Sequence, residues 1–157
     1  MENQLTILAE SLEKKIQVLT AIQEYNKHQE QVFTSDMVDI SSFDDAVEEK
    51  GKLIEQLTRL DEGFEIVYAR LAEQLQNNRE KYAAEIRDLQ KLITQITEMS
   101  VAIQAQEKRN KQLIEQFFAK ERANIGQNRK ASKAAYDYYK KVNNATFVQP
   151  QYYDNKK

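Results

Sequence analysis

Apolar residues recur every three or four positions through most of the chain, in successive stripes. The first puts Leu5, Leu8, Leu12, Ile16, Leu19, Ile22, Tyr25 or Asn26, and Val32 on one face, with Glu10, Glu13, Lys14, Lys15 and Gln23 between them. Side chains three and four apart share a helix face, so this spacing predicts an amphipathic helix over about 5–33. The pattern fails at Thr34-Ser35-Asp36. Residues 34–42 are rich in Ser, Thr and Asp, which bond to local backbone in competition with helix. A turn is expected there, with Met37, Val38 and Ile40 plugging the end of the core.

The second stripe is Val47, Leu53, Ile54, Leu57, Leu60, Phe64, Val67, Leu71 and Leu75. From Leu53 it steps alternately by four and three, a heptad rhythm. It predicts a helix over about 43–76, N-capped by Ser41 or Ser42, with Asp44 and Asp45 in the first turn, where the helix dipole favours acids. Gly51 and Gly63 lie inside it and each weakens it by up to about 1 kcal/mol relative to Ala. Asn77-Asn78-Arg79-Glu80 reads as a break with a capping box. A third stripe runs Tyr82, Ile86, Leu89, Ile93, Ile96, Met99 or Ser100, and Ile103. Between Gln104 and Gln112 only Ala105 is apolar, and then come Leu113, Ile114, Phe117, Phe118 and Ile125. With no turn signal between, this predicts one helix over 78–125, closed by Gly126 as a C-cap.

The expected fold is therefore all-α. Residues 1–125 form an elongated antiparallel three-helix bundle or coiled coil with a long third helix. At about 1.5 Å per residue the helices span roughly 43, 51 and 72 Å. The third would overhang its neighbours, leaving Leu113, Ile114, Phe117 and Phe118 unburied. Two readings of that cluster stand side by side: a core end or dimer contact, or a face for a partner protein.

Composition supports few turns and long elements: 157 residues contain 3 Gly and 1 Pro. The absence of Cys excludes disulfides, thiolate metal sites and Cys nucleophiles, and a single His excludes a His-rich metal centre. His28, among Lys27, Gln29 and Glu30, reads as a solvated surface residue. Acids and bases pair along the helices at four-residue spacing, as in Glu10/Lys14, Glu48/Lys52, Glu55/Arg59 and Glu107/Lys111, the pattern of solvated helix faces. No Gly-rich phosphate loop or hydrolase motif occurs. No catalytic, cofactor or metal residue is assigned, and an enzyme is not expected. The opening residues are no signal peptide, and no apolar run is long enough to span a bilayer. A soluble cytoplasmic protein without membrane insertion is expected.

The formal net charge of −2 hides an asymmetry. Residues 1–125 carry 16 basic and 23 acidic side chains, whereas 126–157 carry 7 and 2, with five of the eight Tyr. Basic charge interleaved with Tyr136, Tyr138 and Tyr139 can stack on single-stranded nucleic acid, but no groove-forming fold surrounds it. Residues 126–157 are expected to be a basic, Tyr-rich, mostly disordered tail that orders only on a partner, with one or two helical turns over 131–142, and nucleic acid is not the expected partner.

The chain resembles the FlgN-type flagellar export chaperones, small cytoplasmic all-helical proteins. The resemblance rests on the N-terminal helix with Leu5, Leu8, Leu12 and Leu19 and on the Asp-containing break at 34–42. It rests also on the Glu-Glu-Lys-x-x-Leu-Ile-Glu-x-Leu stretch from Glu48 to Leu57, the Leu-Gln-x-Leu-Ile and Asn-x-x-Leu-Ile patterns at Leu89–Ile93 and Asn110–Ile114, and the lysine-rich end at 152–157. It implies binding of late export substrates, the hook–filament junction proteins, and their delivery to the flagellar export machinery. By position it assigns client contacts to Asn110, Leu113, Ile114, Phe117, Phe118 and Ile125. The competing class is a structural coiled-coil homodimer, a spacer with no client, in which helix three pairs with its own copy.

Overall fold

The computed structural model describes the backbone of residues 2–35, 37–120 and 125–144, and side chains within 3–35, 37–120 and 133–142. The described residues are helical apart from short connections: α1 (Glu2–Thr34), α2 (Ile40–Asn77), α3 (Ala83–Lys120) and α4 (Ile125–Asn144). α1 packs against both α2 and α3, and α4 packs against α2. Lys15 meets Asp61 and Phe33 meets Phe43, so α1 and α2 run antiparallel. Asn26 meets Gln106 and Glu30 meets Arg109, so α3 runs alongside α1 in the same direction.

Each seam keeps a heptad rhythm. The seam of α1 buries Leu5, Leu8, Leu12, Lys15, Leu19, Ile22, Asn26 and Gln29, with Val18 buried beside it, so Lys15 takes the position expected of Ile16, which is half-buried. α2 contributes Phe43, Val47, Lys50, Ile54, Leu57, Phe64, Leu71 and Leu75. α3 contributes Leu89, Ile93, Ile96, Ser100, Ile103, Glu107, Asn110 and Ile114. Side chains three and four apart wind slowly around a helix, which keeps these stripes facing one another over many turns.

Several boundaries differ from expectation for local reasons. Asp39, not Ser41 or Ser42, caps α2, its carboxylate accepting from Ser42 N–H at 3.2 Å. The α2–α3 connection is longer than a single cap: Asn78 closes α2, Tyr82 N–H bonds to Asn78 O at 3.1 Å, and α3 starts at Ala83. The third helix is described to Lys120, residues 121–124 lie outside the described residues, and Gly126 lies inside α4 rather than capping α3. Over the described residues α2 and α3 are both 38 residues long, so α3 does not overhang α2 there. Ile40 packs on the core, whereas Met37 is 88% exposed and plugs nothing. A Cβ at Gly51 would come within 3.3 Å of Lys141 Nζ of α4, the movable end of a flexible side chain, while Gly63 faces open space.

The largest correction is α4, where a mobile tail was expected. Its buried face is Ala135 and Tyr138, flanked by half-buried Ala134, Tyr139 and Val142, spaced as one helical stripe. The chain here is poor in aliphatics, but two phenol rings supply apolar area that aliphatic counting overlooks. Residues 145–157, with Tyr152 and Tyr153, lie outside the described residues.

Candidate protein-binding site

The six residues assigned to partner binding fall at the end of the bundle where α1 meets α2 and α3 meets α4, and they differ in burial. Asn110 and Ile114 are inside, 1% and 2% exposed. Leu113, Phe117 and Phe118 are half-buried, and the side chain of Ile125, the first residue of α4, lies outside the described residues. The phenyl rings form a chain of edge-to-face contacts from α1 through α3 to α2: Phe33–Phe117 at 5.5 Å, Phe117–Phe118 at 5.4 Å and Phe118–Phe43 at 6.3 Å, with Phe33–Phe43 closing it at 5.2 Å. Edge-to-face rings place the positive rim of one against the negative face of the next. Adjacent Phe117 and Phe118 point about 100° apart, and the geometry shows why both are useful: one reaches α1, the other α2.

Beneath this aromatic end lies a polar layer. The Lys50 ammonium, fully buried, donates to Gln29 Oε1 and to Glu107 Oε1, each at 2.8 Å, and sits 4.3 Å from the Tyr138 ring centroid. Tyr138 O–H donates to Glu107 Oε2. Asn110 Nδ2 donates to the Asn26 carbonyl at 3.0 Å, and Asn26 Nδ2 to Gln106 Oε1 at 3.3 Å. All four helices therefore send a side chain to one layer. Burial holds the Lys50 ammonium below the usual lysine range, against the opposing pull of Glu107. Burial, with the Glu107 carboxylate beside it, pushes the Tyr138 phenol well above its usual range, and burial does the same to Tyr139. The Oδ1 atoms of Asn26 and Asn110 and the hydroxyl of Tyr139 are buried without a hydrogen-bond partner among the described residues.

Sequence reasoning places Asn26 and Asn110 near seam positions, where a buried Asn can fix register, but misses the charged part of this layer. Glu107 was assigned to a solvated pair with Lys111, yet its carboxylate is turned inward to Lys50 of α2. The signal was present: stepping four, three and four from Ile103 lands on Glu107, Asn110 and Ile114, so the apolar gap in the third stripe is a polar stretch of the same seam. Glu55, likewise assigned to Arg59, pairs across to Lys141 of α4 at 2.8 Å, which holds its carboxyl below the usual range. His28 is exposed, as expected.

Among the described residues no group of three or more His, Asp or Glu is placed to hold a metal ion, and no helix is long and apolar enough to cross a membrane. Long amphipathic helices, an aromatic end and a fourth helix laid over a polar seam define a helical-bundle protein. The chain matches the family described as FlgN protein over residues 1–142, nearly its whole length, and it belongs to that family. FlgN proteins are a family of flagellar export chaperones. The match extends through Val142 and so includes most of α4. No curated protein and no solved structure matches the chain.

Proposed function

We propose that the chain is a cytoplasmic chaperone for late flagellar structural substrates, the hook–filament junction proteins. It binds them before export, keeps them from assembling early and hands them to the flagellar type III export apparatus. The client meets the aromatic end of the bundle. Leu113, Phe117, Phe118 and Ile125 make the contact, and Asn110 and Ile114, inside the seam, hold α3 in place beneath them. The observation that carries this reading is the half-burial of Leu113, Phe117 and Phe118 at one end of the bundle. An apolar face covered halfway by its own chain still has area to give a partner helix, at about 25 cal/mol per Å² buried. Release proceeds by competition at the export machinery.

The residues chosen for a test matter, because Phe117 and Phe118 also pack on Phe33 and Phe43. Replacing both with Ala weakens the fold as well as the surface. Leu113→Glu leaves those ring contacts in place. Capture of junction proteins from the cell's own extract is expected to fall at least about tenfold in Leu113→Glu, the effect of roughly 1.4 kcal/mol, with helix content and melting preserved. Unchanged capture would remove these residues from the site. For a homodimeric rod, the seams of α1, α2 and α3 are already occupied within one chain. That class needs another face, and a concentration-independent dimer mass would favour it.

A further inference from the structure

α4 lies in a groove whose polar groups are held without it. Lys50 of α2 donates to Gln29 of α1 and to Glu107 of α3, each at 2.8 Å, so α1, α2 and α3 alone position the ammonium and the carboxylate. Tyr138 is fitted onto them: its O–H donates to Glu107 Oε2, and its ring centroid lies 4.3 Å from Lys50 Nζ. A phenol can give an ammonium its ring face and a carboxylate its O–H at the same time, whereas Phe lacks the donor. About one turn further along α4, Lys141 donates to Glu55 Oε1 at 2.8 Å. About one turn earlier, Ala134 and Ala135 supply small side chains, and Ala134 lines one cleft with Val47, Glu55, Tyr138 and Lys141. The groove therefore reads three features of a helix together: a small residue, a phenol three positions on, and an ammonium three positions after that.

The resident helix is a modest occupant. Its described face toward the groove is Ala134, Ala135, Tyr138, Tyr139 and Val142, with no Leu, Ile or Phe, whereas the seams of α1, α2 and α3 are built on Leu and Ile. Burial stabilises in proportion to apolar area, so this stripe contributes less than a Leu-rich one would. Charge supplies the rest of the match. α4 carries Arg129, Lys130, Lys133, Lys140 and Lys141 against one acid, Asp137. The groove offers Glu48, Glu55 and Glu107, and its Lys52 is drawn to Glu49. We infer that this groove is a receptor for a basic helix of a partner protein with the pattern small-x-x-Tyr-x-x-Lys, and that α4 is its displaceable resident, filling the site until such a helix replaces it. The occupant is a partner and not a second copy, because a second copy's α4 is already seated and exchange adds no contact. A partner helix that keeps the Tyr and the Lys and adds aliphatic area beside them binds better than α4. It has to do so by enough to overcome the roughly millimolar effective concentration of a tethered helix. The inference stands on the α4 groove alone, independently of the client contacts at Leu113 and Phe117.

The test uses the full chain and a labelled peptide of residues 125–144, which carries the pattern, followed by fluorescence anisotropy. The wild-type chain, its groove filled by its own α4, is expected to take the peptide weakly. Lys141→Glu in the chain sets a carboxylate against Glu55 and loosens the resident helix while leaving the three seams untouched. The same peptide should then bind at least about tenfold tighter, because apparent affinity scales with the fraction of chains whose groove is empty. A structural helix with no receptor beneath it would not produce this gain. Against that variant, a peptide with Tyr138→Phe should bind about tenfold weaker or more, the loss of one hydrogen bond to a charged acceptor. A chain with Glu55→Lys should prefer a peptide with Lys141→Glu over the unaltered one. The inference is overturned if no variant binds the peptide saturably, if Lys141→Glu in the chain leaves its affinity unchanged, or if the Phe and Tyr peptides bind alike. A wild-type dimer mass that Lys141→Glu abolishes would make the occupant a second copy and overturn the partner reading.

Discussion

Where α1 begins, the seam is Leu5, Leu8 and Leu12 facing a wall of Leu71, Leu75, Tyr82 and Leu89. Where α4 docks, the same heptad positions hold Asn26, Gln29, Lys50, Glu107 and Asn110. Both ends are buried and both are regular, so burial alone does not choose the residues. The apolar end has three helices in contact and is held by area: each buried Leu contributes roughly 1.5–3 kcal/mol and any well-shaped hydrophobe would serve. The polar end has four helices, and its groups accept few alternatives. Lys50 reaches Gln29 and Glu107 only in one register, and Tyr138 reaches Glu107 only if α4 lies as it does. Buried pairs of this kind add little net stability over hydrophobic replacements. Their selective value here is a hypothesis about register: they specify where α4 sits on a surface a slippery Leu seam would not define. Lys15–Asp61, midway along, belongs to the same class. Burial lowers the Lys15 amine and raises the Asp61 carboxyl, so for both groups desolvation outweighs their mutual attraction.

The sharpest way to break the comparison is to truncate one residue at each end. Glu107→Ala leaves the Lys50 ammonium buried with Gln29 alone and Tyr138 without its acceptor. A loss of about 3–5 kcal/mol is expected. Leu71→Ala at the apolar end also costs about 2–5 kcal/mol, by loss of transfer energy and an unfilled cavity. The two separate on rescue. Lys50→Met combined with Glu107→Leu is expected to recover wild-type stability or exceed it by about 1–4 kcal/mol, while α4 loses its fixed position. Urea denaturation gives the stabilities, and hydrogen exchange in 133–142 gives the docking of α4. A double variant as unstable as Glu107→Ala, or one that protects α4 as well as wild type, would show that the polar layer does not set register.

Much of the three-stripe pattern was legible because period and polarity agreed: Leu5 to Ile22, Leu53 to Leu75 and Leu89 to Ile103 each read as apolar seams. The rest was hidden where they disagreed. Lys50 and Glu107 have surface composition and core position, and only their place in the 4-3 count gives them away. α4 was hidden for a related reason, since its core face is Ala135 and Tyr138 among five basic residues, a composition that reads as tail. The partner cluster was legible in residue type but not in setting. A third helix longer than its neighbours would leave the cluster bare, whereas Phe33 of α1 and Phe43 of α2 half-cover Phe117 and Phe118.

A smaller effect sharpens the role of α4. Tyr138→Phe keeps the ring beside Lys50 but removes a hydrogen bond to a charged acceptor, a loss of about 1.5–3 kcal/mol. Its pH dependence has a definite sign. The Tyr138 and Tyr139 phenols are raised in the folded state. Above the ordinary phenol range, near pH 10, the folded chain therefore holds protons that the unfolded chain releases. Their contribution is full below that pH and falls as pH rises past it. Lys50 acts the other way: its lowered folded value makes stability rise with pH until the unfolded amine, near 10.5, is itself titrated. Urea midpoints between about pH 9 and pH 11 are expected to decline less steeply at the alkaline end in Tyr138→Phe than in wild type. Identical slopes would mean the phenol is not protected by α4 docking.

The smallest expected effect is at the surface of the same polar end. Arg109 Nη1 reaches both carboxylate oxygens of Glu30 at 3.1 Å, joining α3 to α1 beside the Asn26–Asn110 contact, but the arginine is more than half exposed. A solvated pair of this kind contributes about 0.2–1 kcal/mol and is screened by salt. Arg109→Ala should therefore lower stability by less than about 1 kcal/mol, with the difference nearly gone at 1 M salt. Asn110→Ala, one residue further on, removes the bond from Nδ2 to the Asn26 carbonyl inside the seam. It also removes the unpartnered Asn110 Oδ1. Its effect, unlike that of Arg109→Ala, should not shrink with salt. If both variants respond to salt alike, the alignment of α1 with α3 rests on exposed charge, and the buried amides do not fix it.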